Sequence, residues 1–350
     1  MFVRLIDRKT VDVATAPRLG RRQFLTVLFS VLTAANAYAD DKRRYRVAFA
    51  NINDDPTAHV LGLGFTGADV RRGFELAART LPLDITYYDN GGNPDTAVAN
   101  ADEAVAHKAQ LFIEFNADPD ANAEIGRKLR AAGIPVLAVG YPVPDAPFYG
   151  PDNVAAGRIA GSTLADYARQ NWTDQTVLAV IAGDFGDPAS YMAERVRGIT
   201  EGLRKSLPKV PVTQLDTSGN PVRVDGLLRK FLLMQTRSKV LIATLDDPTA
   251  LYAKEAIERA VRGGDCVIVS QGLDNTIHGG ANDKKEIDPN NSGSIVLGSV
   301  AYYLDRYGDE VLPLALKMLE GTPVPAQTLT HHILVSSANI FIEYPPTDIN

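Results

Sequence analysis

The stretch HVLGLGFTGADVRRGFELAAR, His59 to Arg79, carries Gly62, Gly64 and Gly67 in the spacing G-x-G-x-x-G. A strand-like run, Tyr45 to Ile52, precedes it and a helical pattern follows. Asp89 closes the next strand-like run, 22 residues after Gly67. Together these are the marks of a turn that seats a pyrophosphate on a helix N-terminus, with the acid on a ribose hydroxyl. The chemistry served would be hydride transfer by a nicotinamide cofactor. The interval before the glycines argues otherwise. A phosphate turn must leave its strand at once. Here nine residues, Asn53 to Leu61, intervene, and Asp54 and Asp55 among them would repel phosphate. The glycines therefore read as turning points of an enlarged first loop, and no cofactor is expected.

A second set of chemistry-bearing residues lies where strand-like runs end. The first run leads to Asn51, at its end, and to Asn53, Asp54 and Asp55 just beyond it. Glu114 and Asn116 end the third, Tyr141 the fourth, Asp184 the fifth, Asp246 and Asp247 the seventh, and Asp274 and Asn275 the eighth. Carboxylates and carboxamides exchange hydrogen bonds with hydroxyls, and aromatic faces cover C–H surfaces. The mixture suits a polar, uncharged, hydroxyl-bearing ligand. Asp152 and Asp247 read as helix caps. Asp246 and Asp274 each precede the expected cap and read as functional. A carboxylate pair could also hydrolyse a glycosidic bond, but nothing in the sequence sets the separation that this needs. His59, His107, His278, His331 and His332 show no metal-ligand spacing. No G-x-S-x-G elbow and no phosphate-binding G-x-x-x-x-G-K-[ST] is present.

The elements that must position these residues alternate. Strand-like runs at 45–52, 83–89, 110–116, 134–141, 176–184, 210–217, 239–247 and 266–274 are mostly continuous apolar stretches. Strands covered by helices on both faces read that way, so the sheets should be parallel. Helical patterns at 120–133, 152–170 and 247–264 open on acids and close on or near glycine. The strand–helix alternation runs about four times, crosses a loop at 147–153, and runs about four times more. Two doubly wound halves of similar size follow.

The chain ends of this pattern carry their own signals. Residues 1–39 hold a basic segment with Arg18, Arg21 and Arg22, a twelve-residue apolar run from Phe24 to Ala35, and Ala37-Tyr38-Ala39 before Asp40. That is the build of a secretory signal peptide. RRQFL, Arg21 to Leu25, is similar to the twin-arginine export signal. Residues 1–39 hold six of the 36 Lys/Arg and two of the 42 Asp/Glu, so without them the formal charge falls from −6 to −10. An acidic surface disfavours nucleic acid as a partner. One cysteine, Cys266, lies in an apolar run and excludes any disulfide within the chain.

Several longer stretches resemble a known family. FNADPDANAEIGRKLRAAGIPVLAVG, GPDNVAAGRIAG, AERVRGITEGL, ATLDDPTALYAKEAIE, QGLDN and GSVAYYLDRYG occur in order. They are similar to segments of the type I periplasmic binding proteins, the ribose/galactose-type solute-binding subunits of ABC importers. The resemblance spans about Arg44 to Tyr344. It implies an α/β fold of two Rossmann-like lobes with parallel sheets, joined by three crossover strands near Asp152, Tyr303 and Thr330. The lobes would comprise 40–152 plus 303–330, and 153–302 plus 331–350. It implies a periplasmic, non-enzymatic monomer that captures a sugar or related polar solute by hinge closure and delivers it to a membrane permease. A ligand sensor for a receptor kinase or chemoreceptor shares the fold.

Carried over by position, solute contacts fall on Asn116, Arg197, Asp246, Asp274 and Tyr302, with Asn53, Asp54 and Phe65 of the first loop as the opposite wall and stacking face. The chain departs from the family at Gly140-Tyr141, where many members carry Asp-Arg, and at Tyr302, where they carry Gln. Tyr141 and Tyr302 make the expected pocket more aromatic, so a larger or less hydroxylated solute also fits.

Overall fold

A computed structural model describes residues 44–186, 191–278 and 285–345; residues 1–39, expected from the sequence to be an export signal, lie outside the described residues. The first sheet has the order β11-β5-β4-β3-β1-β2 and the second β12-β10-β9-β8-β6-β7, where numbering follows the chain. The first contains β1 (Tyr45–Asn51), β2 (Leu83–Asp89), β3 (Leu111–Glu114), β4 (Val136–Val139), β5 (Phe148–Gly150) and β11 (Gln327–Leu329). The second contains β6 (Val177–Gly183), β7 (Val212–Asp216), β8 (Lys239–Thr244), β9 (Cys266–Gly272), β10 (Val296–Ala301) and β12 (Leu334–Val335). Every pairing is parallel except β10 with β12. The chain passes between sheets three times: after β5, after β10 and after β11.

The continuous apolar runs are explained by burial on both faces. In β1, Val47 and Phe49 enter one core cluster while Ala48 and Ala50 enter another. In β8, Leu241 and Ala243 face one way and Val240 and Ile242 the other. Burying these side chains contributes on the order of 1.5–3 kcal/mol each for the larger ones. Four strands, β5, β10, β11 and β12, were not among the eight expected runs. β5, β11 and β12 have only two or three residues, and β10 is broken by Gly298, too little pattern for periodicity to reveal.

Helices cover the sheets: α1 (Gly67–Ala78), α2 (Pro94–Ala106), α3 (Pro119–Ala131), α4 (Asn153–Asn171), α5 (Tyr191–Ser206), α6 (Arg223–Met234), α7 (Asp247–Arg259), α8 (Tyr307–Leu319) and α9 (Ile340–Glu343). Most begin on a side-chain cap. Thr66 and Asp69 form a reciprocal capping box on α1, and Asn93, Asp118 and Asp152 cap α2, α3 and α4. The helix pair α4 and α5 sits unusually close. A Cβ on Gly157 would overlap the carbonyl of Arg195, and one on Gly198 would overlap that of Val154. This close approach sets Arg195 beside Asn153. No described helix is long and apolar enough to cross a membrane.

Candidate functional site

The C-terminal ends of parallel strands from both sheets, where ligands of open α/β sheets bind, meet around the buried guanidinium of Arg195. Arg195 lies on the stripe of α5 that also buries Gly198, Ile199, Gly202 and Leu203. It is 0% exposed. All five of its N–H groups are used. Nε and Nη2 donate to Asn153 Oδ1 at 3.3 and 3.0 Å, and Nη1 donates to the Leu245 carbonyl at 2.6 Å. The remaining two cross to the first loop: Nη1 to the Gly62 carbonyl at 3.1 Å and Nη2 to the Leu61 carbonyl at 3.3 Å. Arg197, the expected arginine, is exposed on the same helix. That expectation is corrected by helix geometry: residue 195 stands three before Gly198 and shares its buried face, and residue 197 does not.

Tyr302 is fully buried beneath Arg195, whose Cζ stands 4.9 Å from the ring centroid. Its hydroxyl lies 2.9 Å from Gln271 Oε1 and 3.2 Å from Asn153 Oδ1, and donates to one of them at a time. Burial pushes its pKa up to about 12. On its other side Tyr302 packs against His332, centroids 4.6 Å apart. His332 joins all three crossings between the sheets. Its Nε2 accepts from the Asp152 amide at 3.2 Å and pairs with Thr330 Oγ1 at 2.8 Å, and Nδ1 meets the Ala301 carbonyl at 2.8 Å. Those partners require the tautomer with hydrogen on Nδ1. Burial lowers the pKa of His332 to about 4.

The acids on the second sheet are arranged differently from the sequence expectation. Asp246 is the N-cap of α7, with Oδ1 accepting from the Thr249 amide at 2.7 Å and Oδ2 from its hydroxyl at 2.8 Å. Asp247, expected to be the cap, is instead the first helical residue and fully buried. Its Oδ1 accepts from Ser270 and Ser299 hydroxyls at 2.5 and 2.7 Å, and its Oδ2 from the Asp274 amide at 2.9 Å. Asp274 is 1% exposed. Its Oδ1 accepts from the amide and hydroxyl of Thr276 at 2.7 and 2.5 Å, and its Oδ2 has no partner among the described residues. Burial raises the pKa of all three acids, and the proximity of Asp247 to Asp274 raises Asp247 further.

On the first lobe, Tyr141 packs on Phe115 at 6.0 Å and meets Tyr191 edge-on at 5.2 Å, while the Tyr191 hydroxyl donates to the Gly140 carbonyl at 2.7 Å. Tyr191 lies on α5, so this contact also links the two lobes. Asn116 is directed at local structure, donating to Asn122 Oδ1 at 3.1 Å and accepting from the Asp118 amide at 3.4 Å. Asp54 pairs with Arg71 and accepts from Asn51 Nδ2, and Asn51 also donates to the Asn53 carbonyl at 2.9 Å. These bonds tie down the base of the first loop. Phe65, expected as a stacking face, is 1% exposed and belongs to the hydrophobic core. A cavity of about 180 Å³ remains between loop and second lobe, lined by residues that include His59, Leu63, Asp184, Met192, Thr217 and Asp246.

The structure thus gathers Tyr302, Asp274, Asp246 and Tyr141 about the cleft, and adds Arg195, Asn153 and Gln271, which the sequence reading passed over. Asn153 Nδ2, Gln271 Nε2, Asp274 Oδ2 and Asn53 Oδ1 are buried without a partner among the described residues. Such atoms are costly unless something hydrogen-bonds to them.

Residues 63–301 match the family described as the periplasmic binding protein domain. No curated protein sequence matches the chain significantly. Among solved structures, a sugar-binding protein of a sugar ABC transporter from Bacillus halodurans is similar with a TM-score of 0.66 at 18% identity, over 86% of this chain and 100% of that one. A Mycobacterium smegmatis protein in complex with β-D-fucofuranose is similar with a TM-score of 0.64 at 18% identity, over 86% and 94%. GanP, a glucose-galactose binding protein from Geobacillus stearothermophilus, gives 0.61 at 18% identity, over 85% and 99%.

Proposed function

This chain belongs to the periplasmic binding proteins, whose work is solute binding, and from that premise we propose that it captures a sugar or a related polyhydroxylated solute between its lobes by hinge closure. The observation that carries the reading is the set of buried polar atoms at the cleft without a partner among the described residues, Asp274 Oδ2, Asn153 Nδ2 and Gln271 Nε2, beside the Arg195 fork. One acceptor, two amide donors and a guanidinium match the mixed donor and acceptor character of adjacent hydroxyls. Tyr141 and Tyr191 supply aromatic surface for C–H faces. The sugar-binding proteins that share the fold support the same class of solute.

The bodies that close are residues 40–152 with 303–330, and 153–302 with 331–350. Closure needs only that solute contacts on both lobes favour the closed state, which a permease of an ABC importer then reads. Neither step requires bond chemistry. Residues 1–39 act as the export signal, by a twin-arginine route, and the mature protein works in the periplasm as a monomer. The test is a thermal-shift screen of the mature protein over sugars, polyols, cyclitols and glycosides. A bound solute at 100 times its Kd raises stability by about 2.7 kcal/mol. A protein that purifies with a nicotinamide cofactor, or responds to none of these classes, refutes the proposal.

A further inference from the structure

The first loop occupies the place between the lobes. From Val60 to Phe65 it folds as a tight hairpin, with the Val60 amide donating to the Phe65 carbonyl at 2.9 Å and the Leu63 amide to the Val60 carbonyl at 3.1 Å. Its two apical residues, Leu61 and Gly62, have φ of 55° and 59°, the signs of a type I′ turn. Leucine rarely adopts that conformation, which is strained and persists only where surroundings hold it. The second lobe does the holding. Arg195 donates to both apical carbonyls. Gly62 faces the Met192 side chain, and Gly64 lies so close to the Asp274 carboxylate that a Cβ would overlap it. Gly64 is not among the residues with positive φ, so its backbone tolerates alanine, and the three atoms nearest a Cβ there all belong to the Asp274 carboxylate.

We infer that Leu61–Gly64 is an internal surrogate for the solute: it holds the lobes closed when no solute is present, the solute binds by displacing it, and closure on the solute, which the permease reads, then replaces closure on the loop. This rests on the solute-binding function proposed above and specifies its site. The apical carbonyls mark where two neighbouring oxygens of the solute meet the Arg195 fork. Withdrawal of Gly64 exposes Asp274 Oδ2, which the surrogate covers without bonding to it, to a solute hydroxyl. Because Arg195 makes two bonds before and after the exchange, selection falls on Asp274 and on the amides of Asn153 and Gln271. A solute that offers acceptors but no hydroxyl at Asp274 gains nothing over the loop.

Small-angle scattering from the mature chain, unfolded and refolded to strip any copurified solute, tests this with no ligand added. Wild type is expected to be compact. Gly64→Ala should increase the radius of gyration, and Gly64→Ala/Asp274→Ala, which removes the overlapping carboxylate, should restore the wild-type radius. Circular dichroism checks folding, and if the single variant folds poorly the double variant must regain both the wild-type melting point and the wild-type radius. A Gly64→Ala protein as compact as wild type, or a double variant as extended as the single, overturns the inference. Scattering without solute reads only the surrogate and the sugar screen only the solute-binding function, so the two fail separately.

Discussion

Replacing Asp274 by asparagine separates binding from stability at one residue. In the folded protein the Asp274 Oδ1 bonds to Thr276 are ones an amide oxygen can also accept, so the turn into the following loop survives. The Asp274 amide to Asp247 is backbone and unaffected. What changes is Oδ2, a buried acceptor with no partner among the described residues, which becomes a donor. A hydrogen bond to an ionised group contributes about 1.5–3 kcal/mol. Its loss should weaken solute affinity by roughly 10- to 150-fold. Stability should move the other way or not at all, because a buried carboxylate beside Asp247 is removed. Burial raises the folded pKa of Asp274, so ionising it opposes folding, and that penalty grows as pH rises through the raised value. The stability of Asp274→Asn relative to wild type should therefore increase with pH. Isothermal titration with a solute found by the thermal-shift screen gives the affinity, and urea unfolding at several pH values gives the stability. Wild-type affinity in the variant, or a stability loss above about 2 kcal/mol, refutes the assignment of Asp274 as an acceptor kept free for solute.

Three further outcomes follow from the same geometry. His332, lowered from 6.5 to about 4, is bound neutral in the folded state, so its contribution is complete above the unfolded value and is lost as pH falls through the folded one, a change of roughly 3 kcal/mol. The unfolding free-energy gap between wild type and His332→Gln should narrow over that interval, and a gap independent of pH contradicts the linkage. Gly198→Ala drives a methyl into the Val154 carbonyl across the α4–α5 contact, and should cost about 1–3 kcal/mol in urea unfolding; a neutral variant would show that the helices can part freely. Cys266 is buried and its thiol is pushed up to about 12, so maleimide should label it only after unfolding, as mass spectrometry would show; rapid labelling of native protein contradicts its burial.

The sheets were legible because apolar runs buried on both faces announce themselves, and β2 matched its expected run, 83–89, at both ends. The start of α4 was legible because Asp152 stands directly before its pattern and caps it as expected, whereas α2 was not among the expected patterns and α3, expected from Asp120, begins at Pro119 on an Asp118 cap. The same rule misled at Asp246-Asp247-Pro248, where proline takes the second helical position and the cap moves back by one. Arg195 was hidden by its type. A charged residue on an amphipathic helix reads as solvent-facing, and only the spacing from Arg195 to Gly198, Ile199 and Gly202 marks it as part of the buried stripe. The role of His332 depends on contacts to residues 152 and 301, far apart in sequence, which no local pattern encodes. Gly64 was legible as a loop glycine, but the reason for it, the Asp274 carboxylate 210 positions later, belongs to tertiary structure alone.

The most direct test of solute binding is the thermal-shift screen repeated on wild type and Asp274→Asn side by side. At least one polyhydroxylated solute is expected to raise the wild-type melting point in a saturable way, and the same solute at the same concentration to shift the variant far less. A panel in which no hydroxylated solute shifts the wild type, or in which both proteins respond equally, would contradict this.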